Sequence, residues 1–477
     1  MIHTMQLTFK ATKELYQSFV DKCVPRQKSD PSIPVVRRYV NQQTEKFLGY
    51  YVQTDLWKEN GITGITDNKA YQFTTLNPDT GEIVPMGFFF ELRVNLKKLI
   101  TPSEHVQVYQ PQDREQMIKS FNDAMDLLGI GMPHWEFWNA KRVDYCYNIH
   151  TPYVKYYVGD NETESSFTPL LHKGKRPYHT EPKEWYWDEN RNKKFAKTVV
   201  TADGKEETVY TDKRAKNELK DPGSLYMRWI GFNANFYNKA DEIRKSIKYA
   251  IYDLNTARVE SLEKVYPQSV DILRLEVQCF DTKLNTLKQG RSKSRAASLF
   301  LDPAIGQKVV ENAIKELTEA GVYYRSKKAE KIINQSSYHN TTKAEMLFLQ
   351  KEIRKNKKNI NNVEKDVVKK GIMSKAKFKS RLKSMSKIGV NPVTIPQTAK
   401  KIEDLTVNDG LPCIMDLFTA AVSLERTEDP EVFNEWLIQA LEIKDAHDQE
   451  MKWHGKSLVG SDEWEQEIDS DYGTEAD

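Results

Sequence analysis

Cysteine is scarce in this 477-residue chain: Cys23, Cys146, Cys279 and Cys413 lie far apart, and no Cys-x-x-Cys pair occurs. That spacing excludes a disulfide framework and a cysteine-rich zinc site of the usual kind. Cys146 and Cys279 fall inside apolar, strand-like segments, where a buried inert thiol is expected. Long apolar runs are missing too. No stretch approaches the roughly 20 residues that cross a bilayer, and Met1 to Lys10 has no signal-like apolar run. The nine histidines include no His-hydrophobic-His pair; His134, His150, His172 and His179 stand alone. A mean hydropathy of −0.68 and 29% charged residues predict a soluble, cytoplasmic protein with no membrane partner.

The formal net charge of +3 conceals a strong segregation. Thr341 to Lys387 holds fifteen Lys or Arg against four acids, a charge run of the kind that meets phosphates. Ser461 to Asp477 is acidic and is expected to be disordered. The chain is long enough for two or three domains. Its composition shifts divide it into residues 1–290, a basic helical region over 291–390, a helical C-terminal region over 391–460 and a tail over 461–477. Residues 158–222 are polar with little apolar periodicity, which marks an insertion. Within them Ala202-Asp203-Gly204-Lys205 separates two Thr/Val-rich runs, a hairpin signature.

Period-2 alternation predicts a strand over Met86 to Val94, with Phe90, Leu92 and Val94 facing one way and Glu91 and Arg93 the other. Met117, Phe121, Met125 and Leu128 recur at helical spacing, so Asp113 to Leu128 is read as a helix. Further strands are expected over Ala140 to Ile149, Leu225 to Tyr237 and Asp271 to Phe280, with a helix starting near Asp241. In the basic region Lys370 to Ser374 reads as helix end, turn and N-cap, and Lys375 to Met385 as the next helix. Arg354, Lys355, Lys357, Lys358, Lys375, Lys377, Lys379 and Arg381 are its candidate DNA contacts. Helix is also expected around Met415 to Ile443. Trp135, Trp138, Trp185 and Trp187 are read as packing residues first, with stacking on unpaired bases as the alternative.

Three segments place polar residues on apolar strands: Arg142-Val143-Asp144, Tyr237-Asn238-Lys239 and Arg274-Leu275-Glu276. Residues two apart project from one strand face. Two such strands side by side present two carboxylates and two guanidiniums together. Asp144 and Glu276 then offer hard oxygen ligands to Mg²⁺ or Mn²⁺, which polarises a scissile phosphate. Arg142 and Arg274 steady the carboxylates or clamp phosphate oxygens. Tyr237 is the candidate nucleophile. A phenol of pKa ~10 is ionised at roughly one part in a thousand at pH 7, a deficit of about 4 kcal/mol. A nearby cation offsets part of it, and Lys239 is the candidate. Arg-x-Asp or Arg-x-Glu alone is more often a surface salt-bridge pattern, and among 23 tyrosines a Tyr-x-Lys triplet alone carries little; the combination and order of the three carry the reading.

From Phe88 to Leu287 the chain resembles the replication initiators of filamentous phages, of the gene II and gene X type, and of related rolling-circle plasmids. That group carries Arg-x-Asp on one strand, Tyr-x-Lys followed by an acid on another, then Arg-x-Glu. Here the matching residues are Arg142 and Asp144, Tyr237 and Lys239 with Glu242, and Arg274 and Glu276. The resemblance implies that Tyr237 attacks an origin phosphate, leaving a free 3′-OH primer and a 5′-phosphotyrosyl protein. It also implies that Asp144 and Glu276, with Glu91 upstream, are the acidic metal or active-site residues. The fold expected is α+β, a central antiparallel sheet bearing the nickase residues, helices on one face and a basic helical extension. The expected partners are origin DNA, single-stranded or melted, and a host helicase or polymerase. A non-catalytic origin-binding or plasmid-maintenance protein and a mobilisation relaxase are the rival readings.

Overall fold

The structure is a computed structural model. It describes residues 1–12, 14–16, 18–19, 35–40, 47–53, 61–67, 74–76, 83–85, 88–102, 107–158, 178–179, 185–187, 193–200, 206–211, 216–217, 224–229, 232–238, 271–288, 290–355, 360–395, 410–424 and 429–456. The strands in chain order are β1 (Ile2–Ala11), β2 (Val35–Val40), β3 (Phe47–Gln53), β4 (Ile62–Asp67), β5 (Thr74–Leu76), β6 (Ile83–Pro85), β7 (Phe88–Asn95) and β8 (Asn139–His150). They continue with β9 (Tyr178–His179), β10 (Trp185–Trp187), β11 (Lys193–Val200), β12 (Glu206–Thr211), β13 (Lys216–Asn217), β14 (Ser224–Trp229), β15 (Phe232–Asn238) and β16 (Ile272–Phe280). The helices are α1 (Leu96–Ile100), α2 (Arg114–Asp126), α3 (Val154–Val158), α4 (Asp281–Lys288), α5 (Pro303–Leu317), α6 (Ser326–Gln335), α7 (Asn340–Lys355), α8 (Ile360–Lys369), α9 (Lys375–Lys387), α10 (Ile414–Ser423) and α11 (Pro430–Lys456).

The fold is mixed α+β, as expected, and is organised by a nine-stranded sheet in the order β14-β15-β16-β8-β1-β7-β4-β3-β2. Its paired neighbours run antiparallel. Alternation separates the two faces of its central strands. Val143, Tyr145, Tyr147 and Ile149 of β8 are buried on one face with Leu273, Leu275, Val277 and Cys279 of β16 and Met5, Leu7 and Phe9 of β1. Each fully buried Leu, Val or Phe stabilises the fold by about 1.5–3 kcal/mol, so a one-residue slip of register would be prohibitive.

Helices cover this apolar face. The long amphipathic α5 packs on β8 and β16, and α10 packs on β8. Gly306 lets α5 approach closely, since a Cβ there would sit 2.8 Å from Cδ1 of Tyr145. The Tyr145 hydroxyl donates to the Phe300 carbonyl at 3.2 Å, and Tyr147 meets Phe418 of α10 edge-on at 5.0 Å. Trp135 and Trp138 are fully buried against Phe121 of α2. They are packing residues rather than base-stacking ones.

One predicted strand resolves into two. Leu225 to Tyr237 is a hairpin, β14 and β15, whose register pairs Trp229 with Phe232. In the sequence Gly231 interrupts the apolar run between them. The hairpin signature around residues 202–205 is matched by the antiparallel pair β11 and β12, joined on one edge by β10. In the basic region α7, α8 and α9 pack on one another, and α10 and α11 account for the last helical expectation. The helix start near Asp241, Cys23 and the 461–477 tail lie outside the described residues. Among the described residues no helix is long and apolar enough to cross a membrane.

Candidate active site

Arg142 and Asp144, Tyr237, and Arg274 and Glu276 land on three adjacent strands, β8, β15 and β16, and by alternation they share the face opposite the one that α5 packs on. In register, Tyr237 stands opposite Arg274, Asn235 opposite Glu276 and Asn233 opposite Gln278. Across the next interface Arg274 stands opposite Asn148, Glu276 opposite Cys146 and Gln278 opposite Asp144. The two carboxylates are therefore diagonal neighbours on one face, as the strand geometry predicts.

The Tyr237 hydroxyl reaches diagonally and donates to Oε2 of Glu276 at 3.1 Å. Gln278 Nε2 donates to the other oxygen, Oε1, at 3.0 Å. The imidazole Nδ1 of His3 lies 3.4 Å from the oxygen that Tyr237 binds. His3 is the residue sequence reasoning missed. It owes its position to a β-bulge: β1 pairs Ile2 with Tyr145 and Thr4 with Asp144, so His3 is the extra residue. A bulge re-aims a side chain without disturbing the ladder beyond it, and no motif signals one in advance.

Asp144 is gripped by Arg142 through a two-bond fork, Nε to Oδ1 at 2.7 Å and Nη2 to Oδ2 at 2.6 Å. Arg142 also lies over the Phe280 ring at 5.8 Å. Arg274 is wholly buried and donates from Nε to Oδ1 of Asn148 at 2.9 Å. In this arrangement it braces the site rather than facing an incoming phosphate.

Burial divides the two carboxyls. Asp144 is 1% exposed; desolvation holds its carboxyl above the ordinary carboxylate value, against the opposing pull of Arg142 and with a further push from the Glu276 charge. Burial pushes Glu276 up as well. Its hydrogen bonds from His3 and Gln278 and the nearby charges of His3 and Arg274 more than offset this and hold it below the ordinary value. Neighbouring acids with opposite displacements are the pattern by which sites divide proton-holding from charge-holding roles.

The other predicted residues distribute as follows. Glu91 is on the same face but is bound to Lys141 at 2.8 Å. It stands opposite Thr8 of β1, whereas Asp144 stands opposite Thr4, so the two are separated by roughly 13 Å along the strand. The structure does not bring Glu91 to the Asp144–Glu276 pair. Lys239 and Glu242 lie outside the described residues, as do Lys357 and Lys358 and the side chains of Trp185 and Trp187. Arg354 is exposed at the end of α7, and Lys355 pairs with Glu352 at 2.8 Å. Lys377 and Arg381 both bind Glu345 of α7, at 2.5 and 2.6 Å, and Lys375 lies 3.7 Å from Glu364 of α8. Lys379 is exposed. Lys383 and Lys387, which were not among the expected contacts, share its outer face.

Glu276, Asp144 and His3 offer two hard oxygens and an imidazole, a donor set that fits Mg²⁺ or Mn²⁺ in kind. Their oxygens are engaged by Arg142, Gln278, Tyr237 and His3. Among the described residues, no group of three or more His, Cys, Asp or Glu side chains converges closely enough to hold an ion. No family model matches the sequence, and neither a curated protein nor a solved structure is similar to it.

Proposed function

We propose that the chain is a rolling-circle replication initiator that nicks one DNA strand through Tyr237. The observation that carries this reading is the placement of the three motifs on adjacent strands with the Tyr237 hydroxyl bonded to Glu276. The phenol oxygen attacks the phosphorus of the scissile phosphodiester. A Tyr–O–P bond forms as the P–O3′ bond breaks. The phenol proton departs along its hydrogen bond to Glu276, and the 3′ oxygen takes up a proton, so no net proton is released. The products are a 5′-phosphotyrosyl protein and a free 3′-OH.

Glu276 orients the phenol, and His3 and Gln278 fix the orientation of Glu276. Asp144 keeps the Arg142 guanidinium at the same face, where it meets phosphate oxygens once the fork opens. A Mg²⁺ or Mn²⁺ ion would be held by the Glu276 and Asp144 carboxylates together with phosphate oxygens of the bound DNA, and would polarise that phosphate.

The test is to incubate the full chain with single-stranded oligonucleotides tiled across its own replicon, with Mn²⁺, and to look for a denaturation-resistant protein–DNA adduct. The wild type is expected to form it and Tyr237→Phe to form none. An adduct on Tyr237→Phe places the nucleophile elsewhere. Complete absence of cleavage across the tiling leaves the non-catalytic origin-binding protein in its place.

A further inference from the structure

We propose that α8, the turn after it and α9 form a helix-turn-helix whose second helix, α9, docks in the major groove of duplex DNA. The inference deepens the replication-initiator reading and rests on it for the DNA sequence bound, but its test needs no cleavage.

The local geometry is that of two helices joined by a short glycine turn. Helix α8 ends at Lys369, and Gly371 carries a φ of +67°, which reverses the chain. Ser374 then caps α9, its hydroxyl accepting from the Lys377 amide at 3.3 Å. Phe378, Leu382 and Met385 anchor the inner side of α9. The neighbouring helices contribute Met346, Leu349 and Ile353 from α7 and Val363 and Val367 from α8 to the buried set.

The charges of α9 divide by face. It contains five Lys, one Arg and no acid in 13 residues. Lys377 and Arg381 are turned toward α7, where Glu345 binds both. Lys379, Lys383 and Lys387 recur every fourth residue on the outer face, all exposed, with Ala376 and Ser380 beside them. Among the described residues none of these three lysines has a carboxylate partner. The stripe runs about 12 Å along the helix.

This face suits one occupant. Small residues between the lysines let the backbone enter a groove, and the major groove is wide enough for an α-helix. Single-stranded DNA is bound through aromatic platforms, and the only aromatic residue of α9, Phe378, is buried. A protein partner requires apolar or aromatic anchors, and the outer face of α9 presents lysine, alanine and serine.

The test measures full-length protein binding to a fluorescein-labelled mixed-sequence duplex, and to one of its single strands, by anisotropy across a salt series. The variant is Lys379→Ala/Lys383→Ala/Lys387→Ala. It is expected to bind duplex at least tenfold more weakly and to lose roughly three units of the salt slope. Its melting temperature is expected to stay at the wild-type value. Unchanged duplex affinity and slope in the triple variant overturn the proposal. So does an equal loss on single strand and duplex, which makes the stripe a general phosphate contact. A triple variant that loses duplex binding while Tyr237→Phe still forms adducts leaves this proposal standing and removes the nicking residue instead.

Discussion

The hydroxyl of Tyr237 donates to Oε2 of Glu276 at 3.1 Å, although the residue opposite Tyr237 in register is Arg274. The bond is diagonal, and it leaves the phenol bonded to an acid that His3 and Gln278 hold in the charged form. A structural tyrosine and a nucleophilic one behave differently under Tyr237→Phe. Glu276 keeps two other donors, so removing the hydroxyl is expected to cost only about 1 kcal/mol, read from the urea midpoint. Adduct formation is expected to vanish. A loss beyond about 3 kcal/mol makes the hydroxyl mainly a structural tie.

The two carboxyls should leave opposite marks on stability against pH. Asp144 is raised above its ordinary value of 3.8, so the native state keeps a proton that the unfolded chain releases. Its contribution is full below that ordinary value and declines as pH rises through the native one. Glu276 is lowered below its ordinary value of 4.5, so its contribution is present above that value and is lost as pH falls through the native one. Asp144→Asn is therefore expected to flatten the decline on the neutral side, and Glu276→Gln the decline on the acid side. Urea midpoints at several pH values read both slopes. Parallel curves for wild type and Asp144→Asn would falsify the assignment for Asp144.

How far the site was legible depended on the kind of signal. Arg142, Asp144, Arg274 and Glu276 were readable because period-2 alternation is rigid: if the strand exists, residues two apart share its face. The hairpin at Trp229 and Phe232 was missed because a single Gly inside an otherwise apolar run reads as continued strand until pairing shows two strands. His3 was invisible because a bulge is decided by two strands together. Glu91 shows the converse limit. Alternation put it on the right face, but position along a strand comes from register, and register set it against Lys141. Among the lysines, composition could not separate those that hold helices together from those that face outward.

Gly306 ties the helix layer to the site from behind. An added methyl would stand 2.8 and 3.2 Å from Cδ1 and Cε1 of Tyr145. That ring is fully buried, and its hydroxyl is bonded to Phe300, so it has little freedom to move. In an open helix Gly→Ala stabilises by about 1 kcal/mol. Overpacking here costs about 1–3 kcal/mol, so Gly306→Ala is expected to destabilise on balance. Thermal melting measures it, and a rise in melting temperature would show that α5 can back away from β8. Such a shift bears directly on the site, because Asp144 precedes Tyr145 on the same strand.

Glu345 binds Lys377 and Arg381 together and so joins α7 to α9. Both arginine and lysine hold its carboxyl below the ordinary value through hydrogen bonds. The pair is partly exposed, which limits its worth to about 1 kcal/mol, and Glu345→Ala should lower stability by no more than that. Its effect on DNA should run the other way. Removing an acid releases two cations on the inner side of α9 and raises the positive charge of the helix set, so duplex affinity is expected to hold or rise as stability falls. Lys377→Ala should also lower stability, whereas Lys379→Ala should lower affinity and leave stability unchanged. Melting and anisotropy on the three single variants separate the functions. If Glu345→Ala weakens duplex binding as strongly as Lys379→Ala does, the orientation of α9, rather than the charge of its outer face, governs the contact.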